Sequence, residues 1–474
     1  LSAKIVIAGG GVAGASAALL LGNLGLEVTL LERRETLVSG PPFCHLHAGG
    51  NLYREIDDAQ CLSLLRQSID FARLYPFAVD RRPTVIAVPV DDPGSPQDLL
   101  RRLKLLQEAY IRMVREEPEC EVLGDPAEYF RLFDRAEIEA LAKREIAANP
   151  RSAEEWMIPL AKHLDLDRVH YPLILVQEYG LNLFRLGAGT GLALEAMANV
   201  TIHRGTCLAS VERTENGWRI GCEGAFAGEI EADYLINAAG FRTGEIDDML
   251  GIKEKRLVEF KAAYTSLWEG RETLWPEVIF HGERGTPRGM GQFTPYPAGY
   301  VQLHGMTKEI TLYPDGLVES GATSAQPRLP DHFLEKIEKG WSEKERDIRT
   351  RRAIEHLARF LPDFAEATVG GPPLFGAQQI PGSDPTLRVA EVAFPLPRYA
   401  RCEIVKVSSV TDMSREILRD LEESGLVDKL EEERLWKIGT LEKVEECRLA
   451  RRAAGIARSR GYPKAMASLA VDRS

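Results

Sequence analysis

The chain is short of everything that marks a nucleic-acid binder, a disulfide-stapled domain or a membrane span. Its 474 residues hold 59 Lys and Arg against 71 Asp and Glu, a formal net charge of −12. Neutralising a phosphate backbone needs clustered Lys and Arg, so no nucleic-acid partner is expected. Seven cysteines, at 44, 61, 120, 207, 222, 402 and 447, are odd in number and scattered, with no C-x-x-C pair and no Cys/His ligand spacing. That pattern predicts no metal site and no redox pair, and it fits a reducing cytoplasm. No run of about 18 apolar residues occurs, so no spanning helix is expected. The first strand begins at residue 4, which leaves no room for a signal peptide in this sequence. Hydrophobic residues at 44% and charged residues at 27% are ordinary globular values, and the length predicts two domains.

What is present organises around residues 4–32, KIVIAGGGVAGASAALLLGNLGLEVTLLE. A β-branched run ends at Ala8, Gly9, Gly11 and Gly14 stand at G-x-G-x-x-G spacing, and a small apolar run of helical periodicity follows. Gly25 ends that helix, residues 26–31 read as a second strand, and Glu32 closes it. Gly9 permits the sharp turn, Gly11 lets backbone N–H groups approach a pyrophosphate, Gly14 lets helix and strand pack closely, and the acid can accept from a ribose hydroxyl. The helix N-terminus adds the partial positive charge that a diphosphate needs. Because strand, helix, strand and acid are all present, the unit predicts a dinucleotide site rather than a bare glycine turn.

Residues 33–56 then form a long irregular loop that feeds a helix at about Leu52 and brings Cys44, His45, His47 and Asn51 close together. Residues 56–76 read as helix, 83–90 as a strand entering a new sheet, and 95–148 as amphipathic helix devoted to packing. Gly187, Gly189 and Gly191 tempt a second dinucleotide turn, but G-x-G-x-G has no glycine at the helix-packing position, so a small-residue helix packed on the sheet is expected. Residues 200–240 read as a strand, a hairpin turning at Glu215-Asn216-Gly217, and an apolar strand ending in Asn237-Ala238-Ala239-Gly240. That strand end is a second place for close backbone approach to a ligand. Residues 257–312 alternate apolar and polar positions, predicting the antiparallel floor of a substrate domain, and helices return at 332–359. From residue 421 onward the pattern is helical and ends in a basic segment with Arg448, Arg451, Arg452, Arg458, Arg460 and Lys464.

In residues 4–32, the NAAG strand end and the stretch GAQQIPGSDP, the chain resembles the D-amino-acid oxidase-like superfamily of FAD-dependent oxidoreductases. The resemblance covers residues 1–50 well, 200–245 fairly and 365–420 loosely. It implies an α/β fold: a Rossmann-like FAD-binding domain of the glutathione-reductase-2 type, an antiparallel-sheet substrate domain and a helical C-terminal extension. The FAD domain would take residues 1–80, 168–250 and 365–424, the substrate domain 81–167 and 251–364, and the extension 425–474. It implies that Gly9, Gly11, Val12, Ala13, Gly14, Glu32 with Arg33, Val211, Ala238, Ala239 and Gly240 hold the cofactor. His47-Ala48-Gly49 is similar to the loop beside the isoalloxazine in 2-hydroxyglutarate dehydrogenases and malate:quinone oxidoreductases, which tilts the expected substrate toward 2-hydroxy acids. Two departures stand out. The family's carboxylate-gripping arginine is replaced by Gly376-Ala377-Gln378-Gln379, so Gln378 would meet cofactor or substrate instead. The glycine-rich loop over the flavin pyrimidine is replaced by residues 406–412, where Lys406 would stabilise anionic reduced flavin and the backbone at Ser408 and Ser409 would face the flavin O2.

Flavin oxidation of a small 2-hydroxy or amino acid requires a proton acceptor and a carboxylate cation. His47 is the first choice for the acceptor, with His45 beside it. His304 shares a strand face with Tyr300 and Gln302, and that face either lines a cavity or meets solvent. Arg401, just before the last strand-to-helix turn, is the candidate cation. Cys44 and His45 are conceivable points of flavin attachment. The electron acceptor would be oxygen or a quinone. The basic C-terminal segment packs on the protein's own body or a second subunit, or lies against the inner face of a membrane. The competing reading is a flavoprotein whose FAD is structural or serves a partner, without turnover of its own.

Overall fold

The structure, a computed structural model, describes residues 3–40, 46, 56–270, 273–429 and 437–471. The runs Lys4–Ala8, Glu27–Glu32 and Tyr234–Asn237 are apolar and almost wholly buried, the condition that suits parallel strands. They form the middle of a six-stranded sheet in the order Val392–Leu396, Tyr399–Cys402, Tyr234–Asn237, Lys4–Ala8, Glu27–Glu32, Val200–Arg204. Every pair in it is parallel except the edge pair of Val392–Leu396 with Tyr399–Cys402. The helix Val12–Asn23 is buried continuously from Ala13 to Gly22, because helices Leu183–Glu195 and Val410–Glu423 flank it. A helix enclosed on all sides needs no polar face, which is why its sequence shows none. The glycines of Leu183–Glu195 serve packing, as expected: a Cβ on Gly189 would lie 2.2 Å from the Phe77 ring.

A larger, mixed sheet carries the other side of the molecule. Its order is Leu317–Glu319, Arg256–Leu267, Tyr300–Gly305, Gly291–Pro295, Glu277–Phe280, Thr84–Pro89, Val169–Val176, Phe130–Phe133, with Leu374–Pro381 and Thr368–Val369 also paired to Arg256–Leu267. All of it is antiparallel except Glu277–Phe280 beside Thr84–Pro89. Two departures from expectation lie here. Residues 95–148 are not all helix: Gln97–Glu116 is followed by the strand Phe130–Phe133, too short to show alternation between its turns. Val169–Val176 and Leu374–Pro381, assigned from sequence to the dinucleotide part, pair into this sheet instead.

The C-terminal extension is part of the core. The helix Glu446–Ser459 buries Leu449, Ala453, Ile456 and Ala457 against Leu183–Glu195. Arg452 pairs with Glu195, and Arg185 reaches Glu446 at 2.7 Å. Beyond the helix, Asn182 Nδ2 donates to the carbonyls of Met466 and Ser468 at 2.9 and 3.1 Å. The basic segment therefore packs on the protein's own body. No helix among the described residues is long and apolar enough to cross a membrane.

The two sheets are joined through one carboxylate. Asp247, in the helix Thr243–Met249, is fully buried and accepts from Tyr399 Oη at 2.7 Å, Arg401 Nη1 at 2.8 Å and Arg256 Nη2. Tyr399 Oη in turn accepts from Asn237 Nδ2 at 2.8 Å. Arg256 also donates to Thr243 Oγ1, which donates to Gln379 Oε1 at 2.5 Å, and Gln379 Nε2 donates to the Cys402 carbonyl at 2.6 Å. Replacing Asp247 by Ala strips two buried guanidiniums of a shared counter-charge. We expect a loss of about 3–5 kcal/mol, read from the urea midpoint. A midpoint unchanged in Asp247→Ala would show that the network is not structural.

Candidate functional site

The glycine loop is shaped by close contact. Gly9 has φ +108°, and a Cβ there would sit 2.3 Å from the Ala238 carbonyl oxygen; one on Gly14 would sit 1.9 Å from the Gly9 carbonyl oxygen. Gly11 faces open space: a Cβ there would have nothing within 4 Å. Thus two glycines let the loop sink onto the Ala238 strand end and the helix, and the third leaves the wall open to a ligand. Glu32 closes the second strand as expected. Its Oε2 accepts from the Gly10 N–H and its Oε1 from the Arg34 N–H, both at 2.7 Å. Burial raises its pKa against those two hydrogen bonds.

A cavity of about 820 Å³ opens over this loop, lined by Gly9, Gly11, Glu32, Arg33, Ala238, Ala239 and Gly240. Val211 is not there. It is buried against Trp218 and Ile220, while Thr206, Cys207 and Leu208, at the start of the same strand, form the wall. The strand runs away from the cavity, so only its first residues reach it. An open glycine, an acid held by backbone N–H groups and a cavity of this volume fit a dinucleotide.

A second cavity, of about 350 Å³, shares Gly11, Gly40, Ala238 and Gly240 with the first and takes in Val12 and Ala13. Its far wall is the large sheet. Among the described residues, Lys261, Arg284, Arg388 and Lys406 line it with a single carboxylate, Glu259. Lys261 Nζ lies 2.8 Å from Glu259 Oε2, and Arg284 pairs with the same carboxylate. Burial, then repulsion from Arg284, pulls the Lys261 ammonium down despite Glu259; burial, then Arg388 and Lys261, pulls Lys406 well down. Two basic side chains, Lys261 and Arg284, thus share one carboxylate in a desolvated wall, an arrangement suited to an anion.

His304 also lines this cavity, so its strand face is turned inward. Its Nδ1 is 3.3 Å from Gln292 Oε1, Gln292 Nε2 donates to Glu277 Oε1 at 2.5 Å, and Glu277 Oε2 is 3.4 Å from Arg82 Nη2. All four residues are buried. A carboxylate paired with arginine can only accept, so the Gln292 amide nitrogen faces Glu277 and its oxygen faces His304. Nδ1 must then donate, which puts the lone pair on Nε2. Burial, reinforced by Lys261 and Lys406, pushes the imidazole down to about 3, so it is neutral at working pH.

The structure therefore brings His304, Gln378 and Lys406 together with the glycine loop. Gln378 Nε2 donates to the Val405 carbonyl at 2.5 Å, and its Oε1 accepts from Lys261 Nζ at 3.3 Å. Ser408 and Ser409 are buried behind the wall, Ser409 Oγ donating to Gln67 Oε1 at 2.9 Å, while Val407 takes the lining position. Arg401 is corrected: only 1% exposed, it is held by Asp247, Glu403 and Glu254 and takes no part in lining the cavity. Strand alternation turns it toward the inter-sheet network. His45, His47, Ala48, Gly49 and Cys44 lie outside the described residues. The sequence reading missed Lys261, Glu259 and Arg284. A signal existed for the first two: charges two apart within the apolar run VEFKAA share one strand face.

Residues 4–382 match the family model described as FAD dependent oxidoreductase (DAO). No curated protein matches the chain in sequence. Among solved structures, glycine oxidase from Geobacillus kaustophilus shares 12% identity at a TM-score of 0.56, over 91% of this chain and 100% of that one. L-Proline dehydrogenase from P. horikoshii shares 16% identity at 0.56, over 90% and 95%. L-α-Glycerophosphate oxidase from Mycoplasma pneumoniae, solved with FAD bound, shares 12% identity at 0.56, over 89% and 95%. At such identities the structures attest the fold, while the family model covers most of the chain. The chain belongs to the DAO family of FAD-dependent oxidoreductases.

Proposed function

We propose that this FAD-dependent enzyme oxidises a small 2-hydroxy acid, its carboxylate held by Lys261 and Arg284 and its hydroxyl proton taken by His304. The observation that carries the reading is the basic wall of the cavity next to the glycine loop, where Lys261 and Arg284 share the one carboxylate of Glu259. Charge-assisted hydrogen bonds from such a wall are the ordinary means of orienting a carboxylate. The same wall disfavours a second positive charge, so an alcohol suits it better than an ammonium. FAD supplies the hydride acceptor when bound. His304 supplies a neutral imidazole, and the Gln292 contact at Nδ1 assigns to Nε2 the lone pair that accepts the hydroxyl proton. A cofactor held only for structure would not require a charged, partly desolvated cavity beside it.

Anaerobic mixing with a panel of hydroxy and amino acids tests the substrate class. Bleaching of the flavin by a 2-hydroxy acid is the expected result; bleaching by amino acids alone overturns the proposal. His304→Gln should keep FAD and lose about 100-fold or more in the rate of flavin reduction. Lys261→Met should raise the substrate Kd about tenfold or more, the weight of a charge-assisted hydrogen bond, with a smaller effect on the limiting rate.

Stability should also report on His304. Its folded pKa of about 3 lies below the ordinary value of 6.5, so between those pH values the unfolded chain binds a proton that the folded one does not. Stability is then lost as pH falls through that window, by about 2 kcal/mol between pH 6.5 and 5. Urea titrations at the two pH values should show this slope in the parent and its reduction in His304→Gln; equal slopes would place the imidazole in water.

A further inference from the structure

We propose that the C-terminal extension is a working part of the cofactor site: Arg460 clamps a strained turn at Val38 and so holds closed the cradle that receives FAD. Val38 has φ +54°, in the left-handed region, where a β-branched side chain is strained. Such a conformation persists only where its surroundings over-determine it. On one side the Val38 N–H donates to the Gly10 carbonyl at 2.9 Å, so the turn is pinned to the glycine loop itself. On the other side stands Arg460, which follows the helix Glu446–Ser459. Its Nη1 donates to the Val38 carbonyl at 3.1 Å, its Nη2 to the Leu37 carbonyl and Thr36 Oγ1, both at 2.8 Å, and its Nε to Thr36 Oγ1 at 3.2 Å. Four hydrogen bonds from one planar fork fix three consecutive residues, a task no other side chain can perform.

The turn has a place in the site. Val38 lines the smaller cavity, and Ser39 and Gly40 continue it along the wall of the larger one. Arg460 and Tyr462 line the larger cavity themselves, and Tyr462 Oη ties a second part of that wall by donating to the Pro373 carbonyl at 2.7 Å. Burial draws the Arg460 guanidinium down to about 10, which leaves it charged at neutral pH. The extension can bear load because Leu449, Ala453, Ile456 and Ala457 anchor it in the core and Asp80 receives the N–H groups of Ala470 and Val471. A flap attached at its surface alone could not hold a strained turn.

The test is FAD titration of the apoprotein, read by flavin fluorescence, so it is independent of substrate and turnover. Arg460→Met should raise the FAD Kd about tenfold or more. Val38→Gly supplies the relaxed turn on which the clamp is tested, because glycine adopts positive φ without steric cost. The double variant should recover at least about threefold of the affinity lost in Arg460→Met, since a relaxed turn no longer needs its clamp. Parent affinity in Arg460→Met overturns the proposal, and so does a double variant as weak as Arg460→Met, which would make Arg460 a direct contact instead of a clamp. Should Arg460→Met fail to fold, Arg460→Lys keeps the charge and loses the fork; a several-fold weaker Kd is expected, and an unchanged one overturns the proposal equally.

Discussion

Asp247 accepts from Tyr399 and Arg401 on a strand of the parallel sheet and from Arg256 on a strand of the large sheet, with no exposure to water. A carboxylate in that position is tolerated only when it is paired and its lone pairs are used. The pairing is satisfied in one arrangement of the two sheets, so the requirement fixes how they meet. Two parts of the site inherit that placement. Asn237, bonded to Tyr399, sets where the strand ends and where Ala238 and Gly240 present their backbone. Gln379, bonded to Thr243 and to the Cys402 carbonyl, sets the strand whose neighbour Gln378 faces the cavity. The walls of the two cavities therefore share one reference point.

Around that fixed join, the site concentrates what the rest of the fold avoids. Val38 takes a conformation whose cost is of order 1–3 kcal/mol, and it lines the smaller cavity. Lys261 and Lys406 are held where burial and neighbouring cations weaken their protonation. Neither feature improves folding. Each is tolerated because the surroundings are stiff: Arg460 and Gly10 enclose the turn, and Glu259 partly balances the cations. Such local conflicts are what a binding site looks like in a sequence otherwise consistent with its fold.

The glycine loop and its acid were legible in the sequence because their parts are close in the chain. Gly9, Gly11, Gly14 and Glu32 lie within one strand-helix-strand unit, and their spacing states the turn, the packing and the acid together. Residues 237–240 were legible for a similar reason, as an apolar strand ending in small residues. What could not be read depends on pairing across the chain. Arg460 meets Thr36 from 424 positions away, and nothing local in either segment announces it. Arg401 stood at a plausible place in the chain, but alternation turned its side chain to Asp247. Val211 was placed in the right strand, at a position too far along it, because the strand's direction relative to the cavity is a tertiary fact. His304 lay between two readings until the sheet showed which face was inside.

The departure at residues 376–379 becomes intelligible through strand register. The resemblance leads one to expect a cation on this strand, and the sequence has Gln378 and Gln379. Leu374–Pro381 pairs antiparallel with Arg256–Leu267, setting Gln378 opposite Glu259 and Gly376 opposite Lys261. Positions two apart share a face, so Glu259, Lys261, Gly376 and Gln378 form one patch, and Lys261 Nζ does reach Gln378 Oε1. A cation therefore stands on the neighbouring strand within hydrogen-bonding reach of the missing one, with glycine opposite to give its side chain room. Glu259 on the same patch favours the charged form of Lys261 against the pull of burial. Moving the charge one strand over also ties it, through Gln378, to the Val405 carbonyl and so to the segment carrying Lys406. The positive charge beside Gln378 is thus supplied by the sheet floor, where backbone pairing holds it in place.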